Sequence, residues 1–492
     1  MMDLNDLEVL LKSSVPMIRI ESREENRIIG LFERVITRLT RPFYRWSVTE
    51  GLKRMDVDKP AQLHNNKPLE LLTQIKMTRH AGVYLLLDFH PFLEEPVNIR
   101  LLKDIAQQHV DVPHTLVFIS HEVNLPAELD HYCVPYEMAL PGVGKIKEII
   151  RKEARAWSRL NQDLRIVVEK DLLQQLINSV SGLPVDDVSR LIRSAIRNDG
   201  VLTHSDLSEI TQAKFKLLNL SGVLSFEYDM AEFAEVGGLI NLKKWLAMRK
   251  EIFTTSESAP GLDPPKGMLL LGVQGCGKSL AAKAVAGNWG VPLLRLDFGT
   301  LYNKYHGETE KNLRESLKTA EVMAPCVLWI DEIEKGISLG DNDGGVSRRI
   351  LGTLLTWMAE KKQNVFIVAT ANDIHALPPE LLRKGRFDEI FFVDLPDAET
   401  RELIFRIHLE KRAQDPKKFN LKSLAEKSPG FSGSEIEQAV VSSLYRAYAG
   451  KENLSDTEII RELKMTKPLS VVMAEQIAAL REWASDRTVR AN

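Results

Sequence analysis

The residues best suited to chemistry lie in mid-chain, in the run Gly272-Val273-Gln274-Gly275-Cys276-Gly277-Lys278-Ser279. The spacing G-x-x-x-x-G-K-[ST] has a physical reading. Gly272, Gly275 and Gly277 let the backbone curl so that successive N–H groups face one anion. Lys278, on that loop and without a packing role, reaches the β- and γ-phosphates of a nucleoside triphosphate, and Ser279 offers its hydroxyl to Mg²⁺. About fifty residues further on stand Asp331 and Glu332. Asp331 is suited to hold Mg²⁺, directly or through water, and Glu332 to polarise an attacking water. Asn372 is placed to orient that water or the γ-phosphate. Arg383 and Arg386, three apart in a Gly-containing segment, are candidates for the active site of a neighbouring subunit.

These side chains need elements to hold them. The apolar run Met268–Leu271 predicts a short buried strand, and the Ala- and Leu-rich segment after Ser279, stopping at Gly287 to Gly290, predicts a helix. The glycine loop then joins a strand to a helix N-terminus, whose dipole favours phosphate. A strand at Val327–Ile330 ends in Asp331-Glu332, and a parallel sheet sets such a tip beside the loop. Further strands are predicted at Pro292–Leu296 and at Val365–Ala369, the latter leading into Thr370-Ala371-Asn372.

The whole chain has room for this machinery and more. Its 492 residues correspond to roughly three compact units. With 44% apolar and 27% charged residues it reads as globular, which excludes a mostly disordered, collagen-like or disulfide-stapled chain. A formal charge of −3 gives no overall basic footprint, so neither nucleic acid nor an anionic membrane is the expected partner. Cys133, Cys276 and Cys326 are scattered, with no C-x-x-C pair, as in a reduced intracellular protein. The acidic start lacks a signal-peptide pattern and the apolar runs are strand-length, so the expected location is the cytoplasm.

Together the motifs resemble the AAA clade of AAA+ ATPases over about residues 230–490, beginning with Phe233-Ala234-Glu235-Val236-Gly237-Gly238-Leu239. The resemblance implies ATP and Mg²⁺ as ligands. It places Val236 and Gly237 against adenine, the loop residues Gly272, Val273, Gln274, Gly275, Cys276, Gly277, Lys278, Ser279 and Leu280 around the phosphates, and Gly433 and Ser434 of GFSGSEI near the base. Asp331 and Glu332 fall on the Walker B pair, Asn372 on sensor one, and Arg383 and Arg386 on the arginine fingers. Tyr305, His306 and Gly307 match the substrate-gripping pore loop of AAA unfoldases. Within the clade, VQGCGKSLAAKA, APCVLWIDEIEK and LRKGRFDEIFFVDLP are most similar to the hypothetical-chloroplast-reading-frame (ycf-type) AAA ATPases. Val273 and Gln274 replace the usual Pro-Pro, and Cys276 and Ser279 replace Thr. The glycines and the hydroxyl are kept.

Residues 1–225 have no glycine loop, yet strands predicted at Met17–Ile20, Phe43–Val48, Val83–Leu87 and Thr115–Ile119 echo the catalytic order. Leu125–Leu129 echoes Leu377–Leu381 at an offset of 252 residues, and Gly182–Val188 echoes Gly430–Ile436 at 248. The loop position carries Glu21-Ser22-Arg23-Glu24-Glu25, whose acids repel a triphosphate. The expected fold is therefore α/β: a P-loop AAA+ module with a helical lid, preceded by a degenerate AAA-like module with its own lid. The expected domains are 1–141, the degenerate α/β domain; 142–225, a helical lid or linker; 226–398, the catalytic large domain; and 399–492, the lid. The expected function is Mg²⁺-dependent ATP hydrolysis by a homo-oligomer, a hexameric ring remodelling a macromolecule, with protein the favoured substrate. The alternative is a nucleotide-dependent switch or scaffold whose slow turnover times partner binding.

Overall fold

Continuous apolar runs, rather than alternating ones, make up the central strands. A strand buried on both faces needs such a run, and parallel sheets covered by helices on both sides supply that setting. The computed structural model describes residues 2–13, 15–36, 38–39, 41–57, 65–161, 166–168, 172–197, 200–218, 223–228, 231, 233–254, 261–302, 309–337, 346–383 and 385–492. In chain order the strands are β1 (Met17–Glu21), β2 (Phe43–Ser47), β3 (Gly51–Arg54), β4 (Val83–Leu87), β5 (Thr115–Ser120), β6 (Cys133–Pro135), β7 (Val167–Val168) and β8 (Val201–Leu202). They continue with β9 (Leu224–Phe226), β10 (Gly267–Gly272), β11 (Leu293–Leu296), β12 (Cys326–Ile330), β13 (Val365–Ala371), β14 (Glu389–Val393) and β15 (Val489–Arg490).

The chain forms two compact units, Met1–Val167 with Ser181–Val201, and Val168–Val180 with Leu202–Asn492. The helices of the expected lid segment 142–225 are shared between them. Val143–Leu160 and Val185–Arg197 lie in the first unit, and Leu172–Val180 and His204–Leu218 in the second.

The first unit holds a sheet in the order β3-β2-β4-β5-β1-β6, and the second a sheet in the order β15-β14-β10-β13-β12-β11-β9. Without the edge strands β3, β9 and β15, each is a parallel five-stranded sheet in which the second, third, fourth, first and fifth strands lie side by side. Each also carries an antiparallel strand on its second strand, β3 on β2 and β9 on β11. The doubling expected from the offset echoes is thus present as topology. Sequence reading missed β3 and β6, whose short, partly exposed segments carry little apolar signal.

The second sheet is packed on both faces. Leu269, Leu271, Leu328 and Ile330 enter one core, and Met268, Leu270, Val327 and Trp329 the other. A separate small core around Phe405, Leu409, Leu424, Phe431, Ile436 and Val440 holds the C-terminal helices together. The first sheet is packed in the same way, with Tyr84 and Leu86 on one side and Val83, Leu85 and Leu87 on the other. Within the second sheet the parallel strands end on one edge, so residues just past β10, β12 and β13 must converge.

Candidate nucleotide site

The glycine loop leaves β10 and enters the helix Lys278–Trp289 through Gly277, whose φ of 88° is left-handed and costs a side-chain-bearing residue strain. Gly275 meets the C-terminal helices closely. A Cβ there would lie 2.1 Å from Ser434 Oγ, and the Ser434 N–H donates to the Gly275 carbonyl at 3.0 Å. Ser434 lies in the first turn of the helix Gly433–Gly450, which is fixed by a capping box between Ser432 and Glu435.

Lys278 is placed differently from the sequence expectation. It is the first residue of the helix and only 6% exposed, because its stem runs back under the loop. Its Nζ donates to the Gly272 carbonyl at 2.8 Å and the Val273 carbonyl at 2.9 Å. Burial lowers its pKa to about 8, against the raising effect of Cys276, Glu334, Asp331 and Glu332. The thiol of Cys276 is pushed up to about 12 by burial, so it is a packing group rather than a reactive thiolate.

The carboxylates form a compact hydrogen-bonded set. Ser279 Oγ donates to Asp331 Oδ1 at 3.3 Å, and Thr370 Oγ1 donates to the same oxygen at 2.6 Å. Arg295 Nη2 stands 3.5 Å from Asp331 Oδ2. Thr370 Oγ1 also accepts the Glu332 N–H at 2.9 Å, pinning Glu332 in a left-handed conformation with φ 48°. A non-glycine residue held there is strained, which is frequent at working sites. Glu332 Oε1 accepts from Asn372 Nδ2 at 3.0 Å, and Glu332 Oε2 pairs with Lys335 Nζ at 2.5 Å. Behind them Glu334, raised in pKa by burial, accepts the Asn372 N–H at 2.9 Å.

A cavity of about 430 Å³ gathers most of the sequence-derived residues. Val236, Gly237, Gln274, Gly275, Cys276, Gly277, Lys278, Ser279, Leu280, Asp331, Glu332, Asn372, Gly433 and Ser434 all line it. Gly272 and Val273 stand behind the loop, where their carbonyls hold Lys278. Arg383 and Arg386 do not line the cavity, and Arg386 Nη1 instead donates to the Leu355 carbonyl. Tyr305, His306 and Gly307 lie outside the described residues. The sequence reading missed Thr370, though it stands two residues before Asn372 at the same strand tip. It also missed His408 and Lys411, which line the cavity from the helix Ala398–Glu410 and just beyond it. Burial lowers the pKa of His408, which stands 3.7 Å from Glu437, and Lys411 pairs with Glu235 at 2.5 Å. Their three-residue spacing is an ordinary helical pattern and carried no signal.

The donor set fits the expected ligands. A hydroxyl and a carboxylate 3.3 Å apart are hard oxygen ligands of the kind Mg²⁺ takes, and a buried ammonium held by two carbonyls is suited to meet phosphate oxygens.

A phosphate loop on the first strand, an acidic pair on the third and an asparagine after the fourth define a nucleoside-triphosphatase of the AAA class. Comparison with known proteins agrees. Residues 268–395 match the model of the ATPase family associated with various cellular activities (AAA). Residues 3–138 and 144–221 match the N-terminal and second domains of SpoVK-like AAA ATPases. The chain is 37% identical to the ycf46 AAA domain-containing protein of Pyropia yezoensis over 99% of its own length and 98% of that protein. It is 35% identical to the ycf46 protein of Guillardia theta, over 99% of this chain and 96% of that one. A more distant likeness, 35% identity over 43% of this chain and 30% of the other, is to the cell division cycle protein 48 homolog of Archaeoglobus fulgidus. The chain therefore belongs to the family of ycf46 AAA domain-containing ATPases.

Proposed function

We propose that this chain is a Mg²⁺-dependent ATP hydrolase that works as a homo-oligomeric ring, a hexamer, and remodels a protein substrate. The observation that carries the reading is the convergence of Lys278, Ser279, Asp331, Glu332 and Asn372 on one cavity of about 430 Å³. In this reading Lys278 exchanges its two carbonyl partners for β- and γ-phosphate oxygens. Ser279 and Asp331 would hold Mg²⁺, which when bound would supply a counter-charge to the phosphates. Glu332 takes a proton from the attacking water while Asn372 keeps the carboxylate aimed. Val236, Gly237, Gly433 and Ser434 enclose the base. Arg383 and Arg386, outside their own cavity, would complete a neighbour's, Arg386 exchanging the Leu355 carbonyl for a phosphate. The division into 1–141, 142–225, 226–398 and 399–492 belongs to the same proposal, supported by family-model limits at 138 and 144. A cytoplasmic location is part of it too, in keeping with three free cysteines.

A second reading, a slow nucleotide switch, draws on the pairing of both Glu332 oxygens, one with Asn372 and one with Lys335. A base so engaged turns over slowly until a partner releases it.

The test is phosphate release by the purified chain. Turnover should need Mg²⁺, vanish with EDTA, and fall about 10²–10⁴-fold in Glu332→Gln while ATP binding persists. Unimpaired turnover in that variant would remove Glu332 from its role. Lys335→Ala separates the readings: a clear rise in turnover favours the switch, and no change favours constitutive hydrolysis.

A further inference from the structure

The first unit repeats the catalytic topology but has changed what its strand tips carry. After β1, the Glu24 side chain is 3% exposed and accepts from Arg27 at 2.7 Å and from the Asp186 N–H at 3.2 Å. A buried carboxylate fills the place where a phosphate loop would receive an anion, so this tip does not hold nucleotide. The third and fourth strands keep their half of the arrangement. Leu87 pairs with Ile119 as Ile330 pairs with Ala369, which sets Asp88 and Ser120 where the second unit has Asp331 and Thr370. Ser120 Oγ donates to Asp88 Oδ1 at 3.2 Å, as Thr370 Oγ1 does to Asp331 Oδ1. By the same register, His90 and His121 stand where the second unit has Ile333 and Ala371. Two apolar side chains have been exchanged for two imidazoles around a retained carboxylate.

We propose that Asp88, His90 and His121 form a site for one divalent first-row transition metal ion of the Zn²⁺ kind. One ligand atom from each of the three lies within 4.8 Å of the others. The two imidazole rings meet edge-on, centroids 4.8 Å apart at 90°. Ser120 Oγ sits among them, 2.7 Å from His90 Nδ1 and 3.4 Å from His121 Nδ1. If His90 Nδ1–H donates to that hydroxyl, which in turn donates to Asp88, the His90 Nε2 lone pair is left for a metal. Such an orienting partner behind a histidine is usual at metal centres. Bonds of about 2.0–2.2 Å require the ligand atoms to draw closer together, and side-chain rotation of the exposed His121 and Asp88 allows it. Asp88 has a left-handed φ of 50°, so the strand tip holds it in place at some cost. Glu21, paired in register with Ser120, adds a second negative charge nearby. Two imidazoles and one carboxylate select Zn²⁺, Co²⁺ or Fe²⁺ over Mg²⁺, whose ligands are oxygen. Three protein ligands leave a further position for water or for a group from a partner.

The experiment is titration of the tag-free full chain, stripped with chelator, by Zn²⁺ in nucleotide-free buffer, with Co²⁺ absorption as a second readout. One equivalent should bind, undisturbed by millimolar Mg²⁺, and Co²⁺ should give visible bands of nitrogen and oxygen ligation without a thiolate charge-transfer band. His121→Gln, a surface change, should weaken Zn²⁺ more than about 100-fold, since loss of an orienting partner alone costs about 10–100-fold. Asp88→Asn should weaken it as well, with circular dichroism unchanged, whereas Asp331→Asn should leave it intact. The proposal is overturned if the folded chain takes up no stoichiometric Zn²⁺, or if affinity survives in the His90→Gln/His121→Gln double variant.

Discussion

Lys278 shows how one residue can be legible in identity and misread in setting. Its place in the glycine motif gave the expectation of a phosphate partner, but the motif says nothing about burial. The structure tucks the ammonium under two carbonyls, and desolvation takes its pKa to about 8 from an ordinary 10.5. Two consequences follow, with opposite faces. For the empty protein, the unfolded chain holds the proton up to about 10.5 and the folded chain only to about 8. The burden of the buried charge is therefore fully present below pH 8 and is relieved as pH rises between the two values. On the proposed phosphate-binding role, the charged form is the one that binds ATP, so binding above pH 8 should take up a proton. Affinity should fall with rising pH in that window, by at most about tenfold per unit. Calorimetry at pH 8.5–9 in buffers of different ionisation enthalpy would register the uptake. Lys278→Arg, if it binds at all, should lose that pH dependence, and Lys278→Ala should lose tight binding altogether. A pH-independent affinity from 7.5 to 9.5 in the unaltered chain would contradict this account.

At the scale of elements, the sequence disclosed most where an element is an uninterrupted apolar run. The central strands β4, β5, β10, β12 and β13 were found within two residues of their ends because each is buried on both faces. What positions Glu332 was less visible. Thr370 ties the tips of β12 and β13 together across strands 38 residues apart, and a lone threonine at a strand end has no local mark of that task. The lid residues His408 and Lys411 were hidden for a similar reason, since the helix that carries them looks like any other and only its packing turns it toward the cavity. The first unit was expected from its acids at Glu21–Glu25 to repel a triphosphate, and the structure places one of them, Glu24, inside, paired with Arg27. If the loop at Gly272–Ser279 is the one phosphate site, as proposed, the full chain should bind a single ATP equivalent. Equilibrium dialysis or calorimetry returning two saturable equivalents per chain would refute the degenerate reading of the first unit.

At the scale of the molecule, the position of Arg386 raises the question of assembly. Its guanidinium donates to the Leu355 carbonyl and does not line the cavity that Lys278 and Asp331 line. A backbone carbonyl is a weaker partner for a guanidinium than a phosphate, because the phosphate is itself ionised and can accept two parallel N–H bonds. Exchange of one for the other is favourable only where a second subunit brings its own nucleotide to the rim. Arginine fingers contribute about 10³–10⁵ in rate elsewhere, so a lone chain should be a poor hydrolase and an assembled one a competent one. Turnover per chain should rise with protein concentration until assembly is complete. Arg386→Ala should keep ATP binding, since the residue does not touch its own site, and lose turnover. Mixed with Lys278→Ala it should regain part of that turnover, because a subunit with an intact phosphate loop then sits beside one with an intact finger. Turnover per chain that stays constant down to nanomolar protein, together with no rescue in the mixture, would mean that each chain completes its own site. The ring would then have to be given up, and the tight pairing of Glu332 with Asn372 and Lys335 would be the feature to build on instead.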